Sequence, residues 1–271
     1  MIKSLFILLF GLCAISLYAQ DEDPEKKKPE SGDVNLDDRD NGFYDSYDEY
    51  KKRKNRHWQG LDIGINGLSY ADGTDVPPAG YQFVQLDYGR SCYFGLNLFE
   101  GDIYQINGEL IKILMGVGFD FNNFQLRGSS LMVNRNDSLV ERADTLRNFK
   151  GSSNNNMKNA HITVPLLLAF NTSPKNTTSF HIAFGAIFSY RISGKQKVVY
   201  KYNDQSESGD LKEEVLRKSR MFQNPWRINA TLRLGYGNFH VFGNYNLLHY
   251  WEDGQAPSAR LWTIGVKVLP W

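Results

Sequence analysis

The sequence predicts an all-β fold: an eight-stranded antiparallel transmembrane up-and-down β-barrel with a disordered N-terminal tail. Three observations predict it. A short apolar run near the start is typical of a secretory signal. Further along, apolar and polar side chains alternate with a period of two, and long polar links alternate with short ones. We therefore expect a signal peptide at 1–19, a charged periplasmic tail at 20–56 and a barrel at 57–271.

The first part of the chain has the features of a cleaved signal peptide. Lys3 supplies the positive charge, and residues 5–17 form an apolar run too short to span a bilayer. Ala19 supplies the small residue before a cleavage site at Gln20. No later run is long and apolar enough for a transmembrane helix, so none is expected.

The segment that follows the signal is dominated by charge. Residues 21–56 hold 12 acidic and 9 basic side chains among 36 residues, with few large aliphatic ones. Such a segment buries too little apolar surface to offset the entropy lost on ordering, so we expect disorder. A solvated spacer is the favoured interpretation, and docking of a partner is the alternative. The net charge of +1 gives no case for a nucleic-acid partner.

The barrel prediction depends on strands whose two faces differ. In one of them Phe180, Ile182 and Phe184 alternate with His181 and Ala183. Because successive side chains of a strand point to opposite faces, each such strand has one apolar and one polar face. Strands of this kind are predicted at about 61–66, 84–98, 111–122, 161–170, 180–191, 226–236, 239–248 and 262–268.

The links between these strands also alternate, in length. Long extracellular loops, short periplasmic turns and an even strand count are typical of outer-membrane barrels. Eight strands place both chain ends in the periplasm, which suits the tail. The long links lie at about 69–80, 134–157, 204–222 and 252–258, and the short ones at about 101–108, 172–177 and 237–238.

A soluble barrel of the lipocalin type has the same period with the faces reversed, so the outward face must be argued. Here the apolar face runs unbroken for five or six positions in most strands, and the polar face carries glycines that make room in a narrow lumen. We therefore predict an outer-membrane location, with outer-membrane lipid and the barrel-assembly machinery as partners. Aromatic side chains expected to form interfacial girdles are Phe170, Phe180, Tyr236, Phe239 and Trp271 at one end, and Tyr190, Trp226 and Trp262 at the other.

The polar face is charged, which raises the question of a pore. An eight-stranded barrel is only wide enough inside for side chains, so we expect a filled lumen rather than a conducting one. Buried charges need partners, so acidic and basic side chains should interlock there; an anion-binding lumen is the alternative. The predicted lumen charge network comprises Asp62, Asp87, Lys112, Asp120, Arg191, Arg227, Arg233 and Lys267.

Two places break the alternation. Arg90 falls on the lipid face by parity, so we expect it at the outer interface, with residues 82–89 extending above the membrane. A register-changing bulge at Gly89 is the alternative. At the other end of the chain Pro270 precedes Trp271, which falls on the polar parity of the last strand.

The sequence carries no motif that indicates catalysis. None of the five histidines has a metal-ligand spacing, and Asp137 and Ser138 are explained as solvated loop residues. We therefore expect a non-catalytic protein without metal or cofactor, acting as a surface scaffold or accessory factor. The alternatives are a small channel and a lipid-modifying outer-membrane enzyme.

Short strand motifs of this chain resemble those of the PorT-like outer-membrane β-barrel family, over about residues 58–271. The resemblance implies an eight-stranded barrel in the outer membrane of Gram-negative bacteria. It also raises protein secretion as a role, with secretion-system proteins as partners, although a role does not transfer by fold alone. The motifs are Phe94–Glu100, Gly116–Asn123, Val164–Leu168, Phe184-Gly185 and Tyr190-Arg191.

Overall fold

The computed structural model describes residues 57–269, with gaps inside that range. The predicted signal peptide with Ala19 and Gln20, the tail at 20–56, and Pro270-Trp271 lie outside the described residues. The gaps are 107–109, 129, 136–137, 143–148, 173–178, 203–210, 219–220 and 238.

The described residues form antiparallel β-structure with only two short 3-10 turns. No helix among them is long and apolar enough to cross a membrane. The strands in chain order are β1 (Gly60–Tyr70), β2 (Cys92–Ile106), β3 (Ile111–Gln125), β4 (Leu131–Arg135), β5 (Ser138–Arg142), β6 (Phe149–Asn171), β7 (Phe180–Tyr202), β8 (Leu211–Lys218), β9 (Trp226–Tyr236), β10 (Phe239–Asn246) and β11 (Ala259–Leu269).

Eight of these strands close into a ring. They follow one another in the order β1, β2, β3, β6, β7, β9, β10 and β11, and β11 pairs with β1 again. All of these pairings are antiparallel, and ring neighbours are joined by successive links of the chain. Closure leaves no free edge within the ring. The predicted eight-stranded up-and-down barrel is confirmed.

The outward face of the ring is apolar and exposed. In β1, Ile63 and Ile65 are each 45% exposed, whereas Asp62 and Asn66 between and beside them are fully buried. A continuous apolar surface of this kind is unfavourable in water and suits an apolar surrounding medium. Other exposed apolar side chains on barrel strands are Phe94, Phe121, Leu166, Phe184, Leu232, Ile264 and Val268.

The two ends of the barrel differ in their links. At one end, here the turn end, the links are 107–110, 172–179 and 237–238. At the other, the loop end, they are 71–91, 126–148, 203–225 and 247–258. The loop end carries more β-structure than the sequence predicts, because backbone pairing of β6 and β7 continues through polar residues above the apolar band. There β8 extends this sheet, and β4 and β5 form a separate hairpin.

The predicted second strand is wrong in its first half. Residues 82–84 and 88–90 form two 3-10 turns, and β2 begins only at Cys92. Apolar side chains of this stretch, including Phe83 and Leu86, are buried together in one cluster at the loop end instead of alternating between two faces. The strand then runs further than predicted, to Ile106.

Candidate functional site in the barrel interior

Inward-pointing side chains fill the barrel. In β2, a β-bulge changes which residues point into the lumen. Tyr93 and Asn97 point inward and are buried, as their parity requires. The β2–β3 register shifts between Asn97 and Phe99, which reverses the parity of the residues that follow, as far as a second shift between Asp102 and Tyr104. As a result Phe99 is 55% exposed, whereas the carboxylate-bearing Glu100 is buried inside.

The middle of the interior is held by a buried ion pair. Asp62 Oδ2 accepts a hydrogen bond from Arg233 Nη2 at 2.8 Å and another from Asn97 Nδ2 at 2.8 Å. The guanidinium of Arg233 also lies 4.6 Å from the ring centroid of Trp58 and 5.1 Å from that of Phe242. All five side chains are buried, so the charge of Asp62 is neutralised across the lumen rather than by solvent.

Nearer the loop end, a second polar group spans the barrel. The hydroxyl of Tyr93 donates a hydrogen bond to Asp120 Oδ1 at 2.7 Å. The guanidinium of Arg227 contacts Asn122 Oδ1 at 3.5 Å and lies 5.6 Å from the ring centroid of Tyr250. These contacts join β2, β3 and β9 with the loop after β10, so the interior is crossed by side chains from opposite walls.

At the turn end, the chain that precedes β1 is folded into the barrel. We call His57–Gln59 the plug segment. The backbone N–H groups of Trp58 and Gln59 donate to Glu100 Oε2 at 2.6 and 3.1 Å. Lys267 Nζ donates to the His57 carbonyl oxygen at 2.8 Å. The plug segment is therefore fixed by charge-assisted hydrogen bonds from two different walls.

The indole ring of Trp58 fills the space beside these bonds. It is fully buried and packs with Leu114, Leu167 and Ile187. Gly116 faces the ring, and a Cβ at that position would lie 2.8 Å from the indole Cδ1. A Cβ at Gly116 would collide with the carbonyl oxygen of Phe99 as well as with the indole of Trp58, so this glycine lets both the neighbouring strand and the plug segment approach closely.

Three imidazoles lie around the plug segment. His181 Nε2 is 3.0 Å from His240 Nδ1, and the ring of His57 meets that of His181 edge-on with 5.1 Å between centroids. Within the described ranges, no group of three His, Cys, Asp or Glu residues has the arrangement of a metal site. The three rings contact one another and line the turn end of the lumen.

The loop end of the lumen is covered by an apolar cluster, the cap. Its side chains come from the ends of the barrel strands and from the loops above them, including the 3-10 turns before β2. With the plug segment at the turn end and two polar groups between, the interior is occupied along its length. The cap includes Leu68, Tyr70, Phe83, Leu86, Phe124, Met132, Leu139, Met157, Met221, Tyr250 and Trp251.

Two members of the predicted lumen charge network depart from the prediction. Asp87 lies outside the barrel, before a 3-10 turn, and its carboxylate is 3.9 Å from the exposed Arg90. Arg191 is half-buried at the loop end, where its Nη1 donates to Gln223 Oε1 at 2.8 Å. Members that are buried inward on barrel strands are Asp62, Lys112, Asp120, Arg227, Arg233 and Lys267.

The structure adds interior residues that the sequence analysis missed. Tyr93 could have been found, because it has the inward parity of its strand. Glu100 has a weaker signal: Leu98 and Phe99 are two adjacent large apolar residues in an alternating strand, which indicates a bulge. Asp102, whose carboxylate is 3.7 Å from Lys112 Nζ, lies in a stretch that was predicted as a link.

Comparisons with known proteins add little to this geometry. No protein-family model matches the chain, and no curated protein matches it. Among solved structures, the chain is similar to an active-site mutant of outer membrane phospholipase A from Escherichia coli. The identity is 8%, the alignment covers 79% of this chain and 91% of that chain, and the TM-score is 0.21. A similarity this weak establishes neither a common fold nor a common activity.

Proposed function

We propose that this protein is an outer-membrane β-barrel that does not conduct, and that it acts as a non-catalytic scaffold or accessory factor at the cell surface. The observation that carries the proposal is the filled interior, which has the plug segment at one end and the cap at the other. A barrel without a free lumen offers its outer surface and its loops for function.

The distribution of side chains on the outer wall supports the membrane location. Aromatic rings pair near the loop end: Tyr88 stacks on Trp262 at 5.9 Å, and Tyr190 meets Trp226 at 4.6 Å. Further aromatic side chains are exposed at the turn end, and exposed aliphatic side chains lie between the two sets of aromatics. The outer wall therefore carries an apolar band with aromatic borders, as in outer-membrane barrels. The turn-end aromatics are Phe180, Tyr236 and Phe239.

The loop end supports a role in contacting other proteins. There β6, β7 and β8 form a sheet that rises above the ring, and Ile192 and Leu216 on it are each more than half exposed. The strand motifs similar to PorT-like proteins make secretion-system proteins the partners that we propose. Outer-membrane lipid and the barrel-assembly machinery are the further partners that any such barrel requires.

Conductance in planar bilayers tests the filled interior directly. We expect the purified, refolded protein to give no current steps above those of the bare bilayer, because two buried polar groups, the plug segment and the cap lie in series. A known pore-forming protein refolded in the same detergent serves as the control for insertion. Reproducible unitary conductance of the unmodified protein would contradict the proposal and favour a small channel.

Site-specific photocrosslinking in cells tests the scaffold role. A photoreactive residue at Leu216, on the exposed sheet at the loop end, is expected to yield covalent adducts with another envelope protein. The same residue at Ile264, which is 59% exposed on the outer wall of the barrel, should face lipid and yield no protein adduct. Equal labelling at both positions, or no adduct at Leu216 in cells where the photoreactive protein replaces the unmodified one, counts against the role.

A further inference from the structure

A cavity of about 320 Å³ opens on the outer surface at the loop end of the barrel. It lies where the end of β1, the end of β10 and the start of β11 meet, outside the lumen and beside the cap, to which Tyr70 belongs. We call it the rim pocket. Among its lining residues are Ser69, Tyr70, Tyr245, His249, Ser258 and Arg260.

The position of the rim pocket follows from the strand register. Ser69 of β1 and Arg260 of β11 are cross-strand partners, and two residues towards the turn end Gly67 pairs with Trp262. The ring of Tyr88 stacks on the indole of Trp262. Two residues of a strand span about 6.6 Å, so Arg260 lies within one such step beyond the aromatic border. Interfacial aromatic side chains lie at the level of the lipid headgroups. The rim pocket is next to such a side chain, so it lies close to the headgroups.

The chemistry of the rim pocket suits an anion with several oxygens. Arg260 is exposed, and in the part of the chain that the structure describes its guanidinium forms no ion pair or hydrogen bond. The hydroxyls of Ser69 and Ser258 are likewise without partners among the described residues, so they can donate. A guanidinium binds phosphate through two parallel hydrogen bonds, which makes Arg the best single residue for such a ligand.

Two carboxylates in the loops beside the rim pocket, Asp253 and Asp72, have hydrogen-bond partners of their own. His249 Nδ1 is 2.7 Å from Asp253 Oδ1, which leaves the imidazole Nε2 for a ligand. Asp72 accepts hydrogen bonds from the Thr74 hydroxyl at 2.8 Å and from the Thr74 N–H at 3.0 Å. These bonds lower the pKa of the Asp72 carboxyl, so the carboxylate stays ionised and is hydrogen-bonded within its own turn.

We propose that the rim pocket binds a phosphate ester, with Arg260 as the principal contact, Ser69 and Ser258 as further donors, and His249 as a donor in its imidazolium form, in which Nε2 also carries a proton. The source that its position favours is the headgroup of an outer-leaflet lipid, and this part rests on the proposed membrane location. Binding rather than hydrolysis is proposed because, among the described residues, neither serine hydroxyl is hydrogen-bonded to His249, as an activated nucleophile would require.

Equilibrium binding in a phosphate-free maltoside detergent tests the proposal. The full-length protein is titrated by calorimetry with dihexanoyl phosphatidic acid, with inorganic phosphate and with dihexanoylglycerol, which lacks the phosphate. We expect phosphatidic acid to bind and the glyceride not to bind. Arg260→Gln is expected to weaken that binding about tenfold or more, since it removes a charge-assisted pair. Arg135→Gln, an exposed arginine elsewhere at the loop end, is the matched control and should bind as the unmodified protein does.

Each outcome has a distinct meaning. If inorganic phosphate binds as tightly as phosphatidic acid, with the same dependence on Arg260, the rim pocket binds phosphate and the lipid source is wrong. If phosphatidic acid does not bind, or binds to Arg260→Gln as tightly as to the unmodified protein, the proposal is overturned. The measurement uses neither a bilayer nor a protein partner, so its failure leaves the bilayer and crosslinking tests of the proposed function unaffected.

Discussion

Replacing Asp62 with alanine is expected to lower the free energy of unfolding by about 3–5 kcal/mol. The carboxylate is fully buried, and it accepts hydrogen bonds from both Arg233 and Asn97. Its removal leaves the guanidinium of Arg233 charged in an interior with no other carboxylate at hydrogen-bonding distance among the described residues. An unpaired buried charge costs much more than the net contribution of the intact pair, which is why the expected loss is large. Urea unfolding in lipid vesicles, followed by tryptophan fluorescence, measures it.

A double variant separates loss of the pair from general damage to the barrel. In Asp62→Ala/Arg233→Met the charge is removed together with its partner, and methionine keeps much of the volume beside Trp58. We expect the double variant to be more stable than Asp62→Ala alone, because no unpaired charge remains. Glu252→Ala, at an exposed carboxylate on the loop end, should change stability little. Equal losses in the single and double variants would show that the pair is not the cause.

The faces of the strands are the part of this molecule that sequence reasoning predicts well. Alternation is local, so it correctly places Asp62, Arg233 and Lys267 inside the barrel and Ile264 on its outer wall. It does not predict which inward charges meet. Asp62 and Arg233 are 171 residues apart in the chain, and their contact depends on how far the ring is staggered when it closes.

The errors occur where tertiary packing overrides alternation. Val84, Leu86 and Tyr88 alternate like a strand, yet the first two are buried together in the cap, and Asp87 is consequently carried to the surface. At Leu98 a bulge reverses the parity, so the buried Glu100 sits where the pattern places an outward residue. A bulge inserts one residue without changing composition, which leaves little trace in the sequence.

The plug segment was missed for a related reason. Trp58 stands two residues before the first strand begins at Gly60, so no parity applies to it. What holds it inside is the combination of Glu100, Lys267 and the close approach that the missing side chain of Gly116 allows. These come from three different strands, and one of them depends on the bulge. The residues that hold Trp58 inside the barrel are therefore far apart in the chain, and no short stretch of sequence predicts its position.

Because so much of the turn end is built around that segment, Trp58→Ala is expected to be the other strongly destabilising substitution. Removing a fully buried indole leaves a cavity among Leu114, Leu167 and Ile187 and takes away the ring beside Arg233. Large-to-small changes at buried tryptophans cost about 3–5 kcal/mol, and we expect a loss in that range in urea unfolding. Trp58→Phe, which keeps an aromatic ring in the same space, should lose clearly less.

The same substitution also distinguishes a plug from ordinary core packing. In a Cys92→Ser background, a cysteine introduced at the inward, buried Thr231 reports access to the lumen through its rate of labelling by a water-soluble thiol reagent. We expect slow labelling with Trp58 present and faster labelling in Trp58→Ala, measured below the unfolding transition of both proteins. An outward, lipid-facing cysteine at Ala230 is the matched control, and its labelling should not change. If labelling at Thr231 stays slow when Trp58 is removed, the side chains above the plug segment close the barrel without it.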